Sequence, residues 1–151
     1  MIFVLATLIG IVAGLRTMLP PAVVSWAARL GALHLQGTWL AFFGKTWVTF
    51  ILTVFAINEL VLDQLPAMPS RTRPILFTWR LASGALTGAA IGADRGRWLA
   101  GAVAGMSGAV IGTLAGHAAR RKLARTLGRD RPAALLEDLV ALAGAVVAAW
   151  A

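Results

Sequence analysis

The sequence predicts an all-α, polytopic transmembrane helix bundle, and two observations support that fold class. Four apolar stretches, at residues 46–62, 74–93, 98–119 and 132–151, are each 17 to 22 residues long. A helix needs roughly 20 apolar residues to cross a bilayer. Composition agrees, because 59% of the residues are hydrophobic and 13% are charged, about half the charged fraction of a soluble domain. We therefore expect a single integral membrane domain over residues 1–151.

A fifth apolar stretch, residues 1–28, is interrupted by Arg16 and by the pair Pro20 and Pro21. Proline lacks a backbone N–H and disfavours helical geometry in the residue before it, so this stretch should kink or break there. Two arrangements are open. One kinked span gives five spans with the N-terminus inside, whereas two arms folded at the break give six segments with the N-terminus outside.

Basic residues identify the gaps that we expect to face the cytoplasm. Six of the fourteen Lys and Arg residues lie between residues 120 and 131, and two more lie in the gap at 64–73, while the gaps on the opposite side hold four. Cytoplasmic loops carry such an excess. We interpret the first gap as a topology determinant that touches anionic lipid headgroups and not as a nucleic-acid site. Its headgroup residues are Arg120, Arg121, Lys122 and Arg125.

Glycines recur every four residues in two of the stretches. In a helix this spacing places glycine along one face, where another backbone can approach closely. We expect tight helix packing within or between subunits, with a narrow pathway lined by bare backbone as the alternative. A chain this short has little interior, so we also expect a homo-oligomer. The packing glycines are Gly84, Gly88, Gly92, Gly101, Gly105, Gly108, Gly112 and Gly116.

A short internal repeat accompanies the glycines: residues 9–14 match residues 111–116 at four of six positions. In the five-span arrangement these segments would be antiparallel, as in the inverted repeats of many transporters.

Charged residues inside the apolar stretches are the candidate functional residues, because an ionised group at bilayer depth costs several kcal/mol unless it is paired or hydrated. Three acidic groups and an arginine, from three helices, should lie at a similar depth, within roughly 6 to 9 Å of the cytoplasmic ends of their segments. They could form an ion or proton site or a structural salt-bridge network. The candidate pathway residues are Arg16, Asn58, Glu59, Asp63, Arg80, Glu137 and Asp138.

Arg16 has a different expected role in each arrangement. In a single kinked span it lies near mid-membrane, where freed carbonyls and a cation could hold an anionic group. In the two-arm arrangement it is an interfacial arginine that extends to the headgroups.

Signals for metal binding and catalysis are missing from the sequence. The chain has no cysteine, and His34 and His117 lie in no cluster with metal-ligand spacing. It also lacks the G-x-S-x-G, H-E-x-x-H and Walker patterns. We therefore predict no metal, no cofactor and no enzymatic activity.

Several short motifs together resemble a known family. They are GLRTMLPP at residues 14–21, ELVLDQLP at 59–66, the glycine-rich span that ends in Arg120 and Arg121, and LED at 136–138. This pattern resembles a family of small bacterial inner-membrane proteins catalogued only as a domain of unknown function. The resemblance covers nearly the whole chain. It implies a multi-span protein of the bacterial inner (plasma) membrane, with basic loops cytoplasmic, and supplies no activity, substrate or binding residue.

These observations favour a transporter or channel for a small solute or ion. The alternative is a non-transporting scaffold or lipid-binding subunit, in which the glycines only pack helices and the basic segment only contacts the membrane surface. An intramembrane enzyme that acts on lipid is the third possibility. The partners that we expect are the lipid bilayer, further copies of the chain and a small solute or ion.

Overall fold

The computed structural model describes residues 1–62, 74–127 and 130–151, and within these residues the chain forms six α-helices and one 3-10 helix and has no β-strand. The all-helical fold class is confirmed for this part of the chain. The elements are α1 (Ile2–Leu15), α2 (Leu19–Arg29), the 3-10 helix (Trp39–Gly44), α3 (Thr46–Leu62), α4 (Pro74–Ala93), α5 (Trp98–Leu127) and α6 (Asp130–Trp150).

The four long apolar stretches form α3 to α6. Most of their ends lie within two residues of the predicted ones, but α5 continues to Leu127, eight residues past the predicted end at residue 119. Between α4 and α5 the chain turns within four residues, and Gly96 adopts a φ of +69° there. Glycine reaches this left-handed conformation without the steric cost that a Cβ would add. The tight turn therefore makes α4 and α5 antiparallel neighbours.

Two helical segments of the described residues are long and apolar enough to cross a bilayer, by length and composition alone. They are Ile75–Ala93, with 19 residues and a mean hydropathy of 1.2, and Trp98–Ala119, with 22 residues and a mean hydropathy of 1.5. Helices α1 and α3 are also apolar but have 14 and 17 residues. The described residues thus contain two candidate spans, fewer than the sequence predicts.

The first apolar stretch forms two helices that fold back on each other. We call the end of the bundle at the α4–α5 turn the outer end and the opposite end the inner end. At the outer end the Phe3 ring lies 5.3 Å from the guanidinium carbon of Arg97, and the His34 N–H donates to Asp94 Oδ1 at 2.8 Å. At the inner level the Ser83 hydroxyl donates to the Thr17 carbonyl between the two helices. From the inner level, both helices therefore extend to the outer end of the bundle. The prediction of a single kinked span is wrong.

The prolines begin the second arm and do not form the break itself. The chain is extended at Arg16, with φ −136° and ψ 120°, and α2 starts at Leu19 with Pro20 and Pro21 in its first turn. The first helical turn needs no N–H from these positions, so proline is tolerated there. We call residues 16–18 the break.

The two segments of the internal repeat run parallel. A Cβ built on Gly14 would lie 2.5 Å from the Ala109 carbonyl oxygen, and one built on Gly108 would lie 2.9 Å from the Ile11 nitrogen. Because α1 and α5 run in the same direction, these segments do not have the antiparallel relation that an inverted repeat requires. That prediction is wrong for this pair.

Seven of the eight predicted glycines lie where helix backbones approach one another, whereas Gly116 meets the side chains of Leu15 and Glu137. A Cβ built on Gly84 would lie 2.7 Å from the Gly105 oxygen, and one built on Gly101 would lie 2.8 Å from the Gly92 Cα. On the other side of α5, a Cβ at Gly112 would lie 2.8 Å from the Ile11 carbonyl carbon. Helix α5 therefore packs between α4 and α1, with bare backbone on both sides.

Candidate functional site

The candidate site is built around the break. Where a helix is interrupted, the last carbonyls of the first half and the first N–H groups of the second half have no partner within the helix. These groups lie inside the bundle, because Arg16 is 1% exposed and Leu19 and Pro20 are buried. Charged and hydroxyl side chains from α3, α4 and α5 contact these backbone groups, and a carboxylate on α6 contacts the Arg16 side chain.

Arg16 at the break is paired with Asp138 on α6. Its Nε donates to Asp138 Oδ1 at 2.6 Å, and its terminal Nη2 contacts the same oxygen. The Asp138 side chain is 15% exposed. In the folded-back arrangement we expected Arg16 to extend toward the headgroups, and that expectation is wrong, because the close Asp138 carboxylate keeps the cation inside the protein.

Glu59 on α3 binds the start of α2. The Thr17 N–H donates to Glu59 Oε1 at 2.6 Å, and the Met18 N–H donates to Oε2 at 2.8 Å. A carboxylate at a helix N-terminus is stabilised by the free N–H groups and by the helix dipole. Glu59 therefore supplies from another helix the cap that the α2 sequence lacks.

Arg80 on α4 binds the end of α1. Its Nη1 donates to the Gly14 carbonyl and, at 3.2 Å, to the Leu15 carbonyl. A cation at a helix C-terminus has the favourable sign for the dipole. The hydroxyl of Thr113 on α5 donates to the same Gly14 oxygen at 3.3 Å. The backbone on both sides of the break is thus held by side chains of opposite charge.

The remaining predicted pathway residues have different positions. The Glu137 carboxylate lies near α5, since a Cβ built on Gly116 would be 3.7 Å from its Oε1. Asn58 is exposed and is not part of the cluster. Asp63 lies outside the described residues.

The basic segment, residues 120–131, is only partly described. Lys122 is exposed on the last turns of α5. The side chains of Arg120, Arg121 and Arg125 lie outside the described part of the structure.

We call Arg16, Glu59, Arg80, Glu137 and Asp138 the charge cluster. Two of these side chains are cationic and three are carboxylates. Arg16 pairs with Asp138, and Glu59 and Arg80 bind backbone groups of the break. The arrangement therefore stabilises the break.

Within the described residues, no group of three or more His, Asp or Glu side chains could hold a metal ion, so the three carboxylates of the charge cluster do not form a metal site. His34 is at the outer end, where its Nδ1 lies 3.4 Å from Asp94 Oδ1. This pair is exposed on the histidine side and separate from the charge cluster.

Sequence reasoning missed the uncharged groups of the site. Ser83 donates to the Thr17 oxygen at 2.5 Å, and it lies one turn after Arg80, a spacing that could have suggested a shared face. Ser25 and Thr49, whose hydroxyl oxygens are 2.8 Å apart, join α2 to α3 inside the protein. The backbone ligands of Glu59 could not be found from side-chain patterns.

One family model matches nearly the whole chain. The model of a family described as a domain of unknown function (DUF4126) matches residues 3–151. This match confirms the resemblance that the motifs indicate. Searches of curated proteins and of solved structures gave no match.

Proposed function

We propose that this protein, which belongs to the DUF4126 family of unknown function, is a small polytopic inner-membrane protein that moves a small cation or a proton past the break in its first apolar stretch. The single observation that supports this proposal is the charge cluster around an interrupted helix. In many transporters the coupling ion binds where a membrane helix is discontinuous.

The outer surface of the helices supports a membrane location. Large apolar side chains are exposed along α3 and α6, for example Val54 at 62%, Leu139 at 65% and Val140 at 65%. Soluble monomers seldom expose continuous apolar surface of this kind. In a bilayer the same side chains would contact lipid tails at no cost.

The charge cluster supports an ion as the substrate. Charged residues inside membrane segments face the protein interior and mark ion or proton pathways, because exposure to lipid is costly. We propose a cation as the substrate because three of the five side chains of the charge cluster are carboxylates, and Glu137 is the carboxylate that borders the glycine-rich α5. We also propose that the protein is not an enzyme, that its basic gaps face the cytoplasm and that it assembles as a homo-oligomer.

Flux measurements in proteoliposomes test this function. We expect the wild-type protein to carry H⁺, Na⁺ or K⁺, and Glu137→Gln to lower that flux by about tenfold or more, the effect of ~1.4 kcal/mol on a barrier. Glu59→Gln should also lower the flux. Asp94→Asn, at the outer end, is the matched control and should retain the flux.

A thermal-unfolding assay on the same variants separates transport from a structural role. A scaffold predicts that Glu59→Gln and Glu137→Gln lose stability and that no preparation, wild type included, carries any ion. That result would refute transport and favour the non-transporting alternative.

A further inference from the structure

An apolar cavity of about 240 Å³ lies beside the break, between α2, α3, α4 and the 3-10 helix. Phe42 and Val48 line it toward the outer end, and Thr17 and Trp79 line it toward the inner end. On α4 it extends from Trp79 to Leu86, a length of ~10 Å at 1.5 Å per residue. Its shape is therefore a slot that runs along the helices.

The serine hydroxyl at the cavity wall is already hydrogen-bonded to the break. Ser83 lines the cavity, but its hydroxyl donates to the Thr17 carbonyl. Apolar cavities do not hold ordered water, and an empty one forfeits the contacts of its lining atoms. The lining of this cavity therefore favours an apolar ligand.

The cavity opens on the lipid-facing side of the bundle. Trp79 is 60% exposed and Ala82 is exposed, although both line the cavity. Helix α3 packs on α2 and the 3-10 helix, whereas α4 packs mainly on α5 and α1. The slot between α3 and α4 is thus accessible from the side, where a bilayer offers acyl chains.

Charge at the outer end of the slot favours an anionic headgroup. Lys45 is exposed and lies between the lining residues Phe43 and Val48, directly before α3. Arg29, in the last turn of α2, hydrogen-bonds Thr46 next to it. One cationic residue therefore belongs to the segment between Phe43 and Val48, which line the outer end of the slot, and a second is bound to that segment. This charge complements a phosphate attached to an acyl chain.

We infer that this cavity binds one acyl chain of an anionic phospholipid, with the headgroup phosphate at Lys45 and the chain end beside the break. The inference rests on the membrane location in the proposed function but not on ion transport. A lipid bound there would complete the wall of the bundle next to Thr17 and Met18, which Glu59 binds.

Lipid retention, measured by native mass spectrometry after purification from vesicles of phosphatidylglycerol and phosphatidylethanolamine, tests the inference. The chain has no cysteine, so Ala82→Cys can be made and then blocked with a hexyl thiosulfonate after folding. Blocking should lower phosphatidylglycerol retention at least about tenfold, because excluding a few methylenes from an apolar site suffices for that change. Ala100→Cys, on an exposed position of α5, is the matched control and should retain the lipid after the same treatment.

A second variant examines the headgroup. Lys45→Gln should remove the preference for phosphatidylglycerol over phosphatidylethanolamine and leave total retention less affected. Equal retention before and after blocking at Ala82, or an adduct whose mass is that of the detergent, would overturn the inference. Ion flux that persists alongside such a result would leave the proposed function intact, whereas failure of the protein to remain in alkali-washed membranes would refute both.

Discussion

At the residue scale, the charge cluster places a cation at the last carbonyls of α1 and a carboxylate at the first N–H groups of α2. Arg80 binds the α1 carbonyls, and Glu59 binds the first N–H groups of α2. Each contact matches the sign of the local helix dipole. The side chains therefore replace the hydrogen bonds that a continuous helix would have made across residues 16–18.

Removal of the Asp138 carboxylate should destabilise the protein strongly. Asp138→Asn removes the carboxylate that Arg16, which is 1% exposed, contacts through Nε and Nη2, and breaking a buried ion pair in this way costs roughly 3 to 5 kcal/mol. Thermal or denaturant unfolding in detergent measures the loss. Asp94→Asn serves as the control, with an expected loss of about 1 kcal/mol, the value of an ordinary hydrogen bond. Similar losses in the two variants would contradict the buried-pair argument.

The candidate residues were largely predictable and their partners were not. A charge in an apolar stretch is conspicuous in a sequence, so Arg16, Glu59, Arg80 and Asp138 could be selected, and a common depth could be estimated from helix rise. Their actual bonds depend on where the chain breaks. The partners of Glu59 and Arg80 are backbone groups, and no sequence pattern distinguishes one backbone group from another.

At the element scale, glycine determines how closely α5 approaches its two neighbours. On one side α5 meets α4 at Gly101 and Gly105, and on the other it meets α1 at Gly108 and Gly112. Packing of this kind gains dispersion contacts between backbones, which is the main attraction left to helices in lipid. The predicted spacing identified the face, but it could not identify α1 as the second partner because that requires the folded-back first stretch.

A methyl group added at the α4–α5 contact should destabilise the bundle. The Cβ in Gly105→Ala would lie 2.9 Å from the Gly88 Cα, so backbones must move, and overpacking typically costs about 1 to 3 kcal/mol. Gly112→Leu should cost at least as much. Both are measured as changes in melting temperature of the purified protein.

Gly144→Ala is the matched control on α6. Its Cβ would meet a side-chain methyl, Val12 Cγ2, at 3.2 Å and no backbone atom, and alanine raises helix propensity by about 1 kcal/mol. We expect an unchanged or slightly higher melting temperature. If Gly105→Ala behaved in the same way, the close approach of α4 and α5 would be wrong.

At the scale of the whole molecule, the fold-back places the N-terminus at the outer end together with the α4–α5 turn. The helix stretches could be predicted because length and hydropathy are local properties. The choice between one kinked span and two arms could not, since it is decided by contacts of Thr17, Phe3 and His34 with residues more than 55 positions away in the sequence.

Accessibility of single cysteines in intact cells tests the arrangement. Cysteines at Gly96 and directly after Met1 should react with an impermeant thiol reagent, whereas cysteines at Ser70 and Thr126 should be protected. The wild-type chain lacks cysteine and provides the background. Reaction at Ser70 or Thr126 would reverse the orientation, and protection after Met1 with reaction at Gly96 would restore the single kinked span.

The pairing of Arg16 with Asp138 also constrains the order of biosynthesis. The two residues are 122 positions apart, so at a synthesis rate of about 5 to 20 residues per second the ribosome needs roughly 6 to 24 s to produce the second after the first. During that interval the nascent first hairpin carries an arginine at its tip whose final counter-charge has not yet been made. The part of the protein that is translated first is therefore the part whose native contacts are completed last, when α6 arrives.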